Sequence, residues 1–177
     1  HAYHGEQRDI GQQGDGDTAH TTGGTGDQHF ALSGRHALRQ QRFDAHAWLA
    51  ANHADAGDGE RVVSLFCYEQ PALPALLDQL AKQPTLLLAT AGHAARQVGT
   101  LLGPTLLRGL LRAVLLPALT QRDYDPLLWA CDLNFVRGED SFVRAMWAGA
   151  PFVWQIYTQH DAAHTGKLEA FLERFLD

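Results

Sequence analysis

Leu133-Asn134-Phe135-Val136-Arg137-Gly138-Glu139-Asp140-Ser141-Phe142-Val143-Arg144-Ala145 reads as an apolar strand that delivers a charged tetrad to the start of an amphipathic helix. Cys131 to Val136 has the apolar content of a buried strand. Asp140 or Ser141 suits the N-cap of a helix running to about Ala148, where Gly149 and Pro151 close it. The N–H groups of a first helical turn lack intrahelical partners, and with the helix dipole they favour an anion by roughly 0.3–1 kcal/mol, up to about 2 when partly buried. Gly138 lets a ligand come close to the backbone. Arg137 adds a planar fork of donors, each charge-assisted bond being worth about 1.5–3 kcal/mol. Two readings follow: a diphosphate cradle, or a capping ion-pair network on a solvated turn.

Working outward, strand-like and helix-like units alternate. Val62 to Cys67, Thr85 to Ala89, Arg112 to Pro117, Leu133 to Val136 and Phe152 to Ile156 read as strands. Between and around them, Leu38 to Ala51, Pro71 to Lys82, Gly92 to Val98, Thr120 to Trp129 and Asp161 to Leu176 read as helices. Near-continuous apolar strands separated by helices imply an α/β fold, a Rossmann-like parallel sheet with helices on both faces. Ligands of such sheets bind beyond the carboxyl ends of the strands, in the loops after Cys67, Ala89, Pro117, Val136 and Ile156. The tetrad occupies one of these loops, which favours the diphosphate reading.

The bulk properties narrow the class. At 177 residues and 45% apolar, the chain can bury one good core. With 14 Lys+Arg against 20 Asp+Glu, it has no global field to collect polyanions, so no nucleic acid is expected and a phosphate site must be local. Cys67 and Cys131 have no C-x-x-C spacing and read as buried thiols of a reducing, cytoplasmic compartment. No apolar run long enough to span a membrane and no signal peptide are legible. The only methionine is Met146, so the chain reads as a fragment of something longer. Residues 1–36 are rich in Gly, His, Gln, Asp and Thr, and read as a disordered or aberrant segment whose composition also fits a shifted reading frame. Residues 37–177 read as the folded domain.

Gln121 can offer a donor and an acceptor to a pyrimidine edge, and Tyr124 a ring face for a base, stacking being worth about 1–3 kcal/mol. The structural alternative makes Thr120 an N-cap with Asp123, and Tyr124 a core contact. Asp123-Tyr124-Asp125 has the D-x-D pattern of some metal-dependent sugar transferases, but two carboxylates in a first helical turn are also what the dipole selects. His160 and His164, spaced i, i+4, lack a third ligand, and no metal is expected. His1, His4, His20, His29 and His36 are read as incidental. The Phe152, Trp147 and Trp154 group reads as core. No G-x-S-x-G, Walker loop or G-x-G-x-x-G follows a strand, which disfavours an NAD-type domain.

Val63-Ser64-Leu65-Phe66-Cys67-Tyr68-Glu69-Gln70-Pro71-Ala72-Leu73-Pro74, then Leu127 to Ala145, then Trp147-Ala148-Gly149 and Pro151-Phe152-Val153-Trp154 resemble the EarP family, bacterial protein-arginine rhamnosyltransferases of elongation factor P. The likeness covers roughly residues 37–177. It implies the C-terminal, donor-binding half of a GT-B glycosyltransferase, here partial, with dTDP-β-L-rhamnose as co-substrate and no metal. By that resemblance Gln121 and Tyr124 face thymine and its deoxyribose. Arg137, Asp140 and Ser141 hold the diphosphate with Gly138 giving close backbone approach, and Glu139 takes a catalytic role at the sugar side. Asn134 and Tyr68 are further candidates. The implied reaction inverts the sugar and places rhamnose on an arginine of elongation factor P. The key aspartate belongs to the family's N-terminal domain and has no match here, so the chain is expected to bind donor and turn over little alone. The competing expectation is a non-catalytic nucleotide-binding or protein-interaction domain.

Overall fold

The computed structural model describes residues 39–156 and three helical positions beyond them, Gly166, Glu169 and Glu173. The expectations for residues 1–36 lie outside the described residues, as do all but those three positions of the expected closing helix. The described elements belong to one unit, Leu32–Asp177. Its strands are β1 (Arg61–Leu65), β2 (Thr85–Ala89), β3 (Leu107–Arg108), β4 (Leu111–Leu115), β5 (Leu133–Arg137) and β6 (Phe152–Gln155). Its helices are α1 (Ala45–Ala51), α2 (Leu73–Leu80), α3 (His93–Leu102), α4 (Gln121–Ala130) and α5 (Gly138–Ala148).

The sheet runs β3-β4-β2-β1-β5-β6, and every pairing except the β3–β4 hairpin is parallel. Side chains alternate between faces along each strand, so two separate cores form. Val63, Leu65, Leu87 and Ala89 pack with Leu73, Leu77, Ala94 and Val98 of α2 and α3. Val62, Leu86 and Leu88 pack on the opposite face with Leu49 of α1 and Leu127 of α4. Val136 extends that second face under Ala145 and Ala148 of α5. Burial on both faces is why β2 reads as an unbroken apolar run, all five residues being buried.

Two polar side chains inside this sandwich, Ser64 and Asn134, are paired with each other. Ser64 Oγ donates to Asn134 Oδ1 at 2.5 Å, and Asn134 Nδ2 donates to the Leu128 carbonyl at 3.1 Å. That chain joins β1, β5 and α4 with no polar atom left over, as a low-dielectric interior demands. Asn134 is therefore a core residue, fully buried, and its candidacy as a ligand contact is corrected.

Several element ends shift, α3 running on to Leu102 rather than stopping at Val98, and three further differences have a local cause. The first helix is interrupted at Phe43 and Asp44, because the Asp44 carboxylate accepts from Ala47 N–H at 3.0 Å and starts α1 afresh. A short hairpin, β3 with β4, forms at the sheet edge. It turns at Gly109 (φ +55), where a Cβ would lie 2.9 Å from the Ala81 carbonyl oxygen. The third difference concerns α5, which begins at Gly138 rather than at Ser141.

Candidate functional site

The parallel strands leave β1 in two directions, to β2 on one side and to β5 on the other, so the chain reverses its order between β1 and β5. Helices on the two sides diverge there, leaving a crevice at the carboxyl ends of the strands. A cavity of about 490 Å³ occupies it, within the size range of ligand pockets. Seven of the residues singled out from the sequence, Gln121, Tyr124, Arg137, Gly138, Glu139, Asp140 and Ser141, line it together. They are joined by Phe66 and Tyr68 from the loop after β1 and by Arg144 from α5.

Arg137 ends β5 and is the extended N-cap residue of α5. Its guanidinium carbon lies 4.4 Å from the ring centroid of Phe66 and 4.4 Å from that of Tyr68. Contacts of this kind contribute about 0.5–2 kcal/mol, rising with desolvation. Both rings turn a face toward the cation, and its N–H groups are left for another group. Arg137 forms no salt bridge with a described residue. Gly138 follows at φ +68, a backbone state in which a side chain is strained, and a Cβ there would lie 3.3 Å from the Tyr68 hydroxyl. Trp154 Nε1–H donates to the Gly138 carbonyl at 2.8 Å and fixes the turn from behind.

The expected N-cap is corrected. Neither Asp140 nor Ser141 caps the helix, and no described side chain does. Gly138, Glu139 and Asp140 form the first helical positions, and their N–H groups are the ones a helix start leaves without intrahelical partners. Ser141 is buried, and its hydroxyl turns back onto Arg137, accepting from the Arg137 N–H at 3.2 Å and donating to the Arg137 carbonyl. It shapes the turn. Position i−4 satisfied that hydroxyl, a partner invisible to a search for caps that looks forward along the chain.

The start of α4 is closed by its own side chains. Thr120 Oγ accepts from Asp123 N–H at 3.3 Å and donates to Asp123 Oδ2 at 2.6 Å. Asp125 is buried and takes Arg144 Nη1 at 2.7 Å, tying α4 to α5. Both carboxylates of the D-x-D pattern are thus engaged structurally. Gln121 is exposed at the first helical position, on the cavity wall. Tyr124 meets both of its readings. It packs edge-on against Phe66 at 5.6 Å and touches the core, yet lines the cavity, with a buried hydroxyl that has no hydrogen-bond partner among the described residues. Burial pushes that phenol well above the usual tyrosine range, opposed weakly by Ser141 and the two nearby arginines. Burial also pushes the Cys67 thiol up to about 11 against the charge of Arg137, so it stays protonated near neutrality and is no nucleophile.

Phe66 and Arg144 escaped sequence reading. Phe66 looked like one more apolar strand residue, although with Tyr68 two positions on it forms an aromatic pair leaving a strand's carboxyl end. Arg144 stands seven residues after Arg137 with Ser141 between, the i, i+4, i+7 spacing of one helix face. His160 and His164 lie outside the described residues. No described helix is long and apolar enough to cross a membrane.

With this geometry in place, the likenesses are specific. Residues 16–177 match the family of elongation factor P (EF-P) rhamnosyltransferase EarP, a match that begins well before residue 37. A protein-arginine rhamnosyltransferase of Pseudomonas aeruginosa is 48% identical over 151 residues, covering 77% of this chain and 40% of that protein. One of Pseudomonas putida is 42% identical over 163 residues, covering 87% of this chain and 43% of that protein. The chain therefore spans less than half the length of these relatives. A solved structure concerning EarP-mediated arginine glycosylation of translation elongation factor EF-P aligns with a TM-score of 0.66 at 41% identity, over 79% of this chain and 47% of that one. Fold and sequence agree, and the chain belongs to the EarP family of elongation factor P rhamnosyltransferases.

Proposed function

We propose that the cavity holds dTDP-β-L-rhamnose, and that residues 37–177 are the C-terminal, donor-binding half of a GT-B glycosyltransferase that transfers rhamnose with inversion to an arginine side chain of elongation factor P. The observation that carries this reading is Arg137, a cation held by two aromatic faces at the uncapped start of α5, on the wall of a cavity at the sheet's switch point. In this reading the diphosphate meets the Arg137 guanidinium and the first N–H groups of α5. Gly138 permits the approach. Asp140 contributes through its backbone N–H, since its carboxylate would repel a diphosphate, and Ser141 acts by holding the Arg137 peptide. Gln121 and Tyr124 face the thymidine, with the Tyr124 hydroxyl available to a polar atom of the donor. Glu139 stands on the sugar side.

Charge on the departing diphosphate is balanced by Arg137 and the helix start, with no metal. The acceptor guanidinium, protonated up to a pKa above about 12, is a poor nucleophile until a carboxylate orients or deprotonates it. We assign that aspartate to the part of the relatives that this chain does not span, so donor binding without robust turnover is expected of this chain. The work is that of a cytoplasmic enzyme.

Calorimetric titration with dTDP-rhamnose, dTDP and NAD tests the donor site. Binding of the two thymidine compounds, unaffected by EDTA, with none of NAD, is expected; a folded chain that ignores both near millimolar concentration overturns the reading. Rhamnosylation of elongation factor P, assayed with and without a supplied N-terminal half, tests the division of labour. Robust turnover by this chain alone would refute it.

A further inference from the structure

We infer that Gln97 and Gln155 are positioning residues for this site: together they hold the Tyr68 peptide so that its ring, with that of Phe66, keeps the Arg137 guanidinium at the cavity. The geometry stands by itself, while its consequence for ligand binding rests on the donor-site reading above.

Tyr68 lies beyond the end of β1, and the bond from Phe66 N–H to the Phe135 carbonyl, 2.9 Å, continues the β1–β5 ladder just past it. Two residues on, a backbone without ladder partners would wander, and so would the ring it carries. Two side-chain amides take the place of the ladder. Gln155 Oε1 accepts from Tyr68 N–H at 2.8 Å. Gln97 Nε2 donates to the Tyr68 carbonyl at 3.2 Å and to the His93 carbonyl at 3.1 Å, while its Oε1 accepts from Gln70 N–H at 2.9 Å. Both backbone groups of Tyr68 are thus satisfied, from opposite directions.

The sources of the two amides matter. Gln155 ends β6 and is the register partner of Arg137, so the strand beside the arginine also sets the residue whose ring covers it. Its neighbour Trp154 holds Gly138. Gln97 comes from α3, on the other side of the loop. Neither glutamine lines the cavity. Each reaches a peptide that a shorter amide on the same backbone would miss.

The test uses the full chain. Ring currents from both aromatic faces should displace the Arg137 Nε–Hε resonance upfield in a 1H–15N spectrum, and dTDP affinity is read by calorimetry. Gln155→Met removes the acceptor at equal length, and Gln97→Met removes donor and acceptor. Each should move the resonance toward that of a free arginine and weaken dTDP about two- to tenfold, the range for one neutral hydrogen bond. Gln155→Glu keeps an acceptor for Tyr68 N–H and should keep the displaced resonance. Gln97→Glu, which keeps the bond from Gln70 and loses those to Tyr68 and His93, replaces Gln97→Met if the latter fails to melt cooperatively. Met variants with an unmoved resonance and unchanged affinity would overturn the inference, leaving the donor site intact if Arg137→Ala still weakens binding. A wild-type chain that ignores dTDP would sink the donor reading instead, with the resonance still deciding the positioning.

Discussion

Two arginines at opposite ends of the sheet show how surroundings choose between structure and function. At the amino end, Arg112 of β4 meets Glu60 through two bonds of 2.7 and 2.6 Å, and also donates to the Asp55 carbonyl. Its charge is cancelled where it stands. At the carboxyl end, Arg137 is flanked by Phe66 and Tyr68, which fix the guanidinium without neutralising it. A carboxylate partner uses up the donor fork; an aromatic face leaves it to be used. The same side chain is a rivet in one place and, on the donor-site proposal, a receptor in the other.

The contrast can be broken most directly at Arg137. Arg137→Ala should weaken dTDP binding by about 1.5–3 kcal/mol, one charged hydrogen bond, while melting changes little. A melting loss as large as the affinity loss would make Arg137 another rivet. Gly138→Ala is expected to lower stability by about 1–2 kcal/mol in urea titration, because alanine is strained at φ +68, and to disturb the Tyr68 ring that covers Arg137. Equal stability to wild type would mean that the turn can relax. Arg112→Met should lower stability by about 1 kcal/mol, the pair being partly exposed, and leave dTDP affinity as it was. Lost affinity there would deny the separation of the two ends.

The smallest effect is in pH. Hydrogen bonding to Arg112 holds the Glu60 carboxyl below its ordinary value of 4.5, against the opposing effect of burial. The unfolded chain therefore takes up this proton more readily, so the stabilisation is present above about pH 4.5 and fades as pH falls through the lower folded value. Urea midpoints compared between about pH 6 and 3 should show a shallower acid decline in Arg112→Met than in the wild type. Parallel declines would place the acid sensitivity elsewhere.

Much of this was readable in order along the chain. The five parallel strands announce themselves because a sheet buried on both faces needs unbroken apolar runs, as in Thr85 to Ala89. The tetrad stood out because charged residues rarely follow such a run without a purpose. Less readable were features that depend on partners distant in sequence. The β3–β4 hairpin has only two residues in its first strand and turns where Gly109 packs on Ala81. Ser141 looked like a cap until its hydroxyl was seen to reach back to Arg137.

The order of apolar and polar residues alone determined the α/β alternation, the loops where a ligand could sit and the residue types able to meet a phosphate. Local backbone chemistry encodes these, and it is written in neighbouring positions. Only the tertiary structure decided that β1 and β5 lie side by side, bringing Phe66 and Tyr68 onto Arg137 from about seventy residues away, with Gln97 and Gln155 holding Tyr68 there. Which arginine is paired with a carboxylate and which lies against aromatic rings is a property of contacts in space, and no spacing along the chain records it.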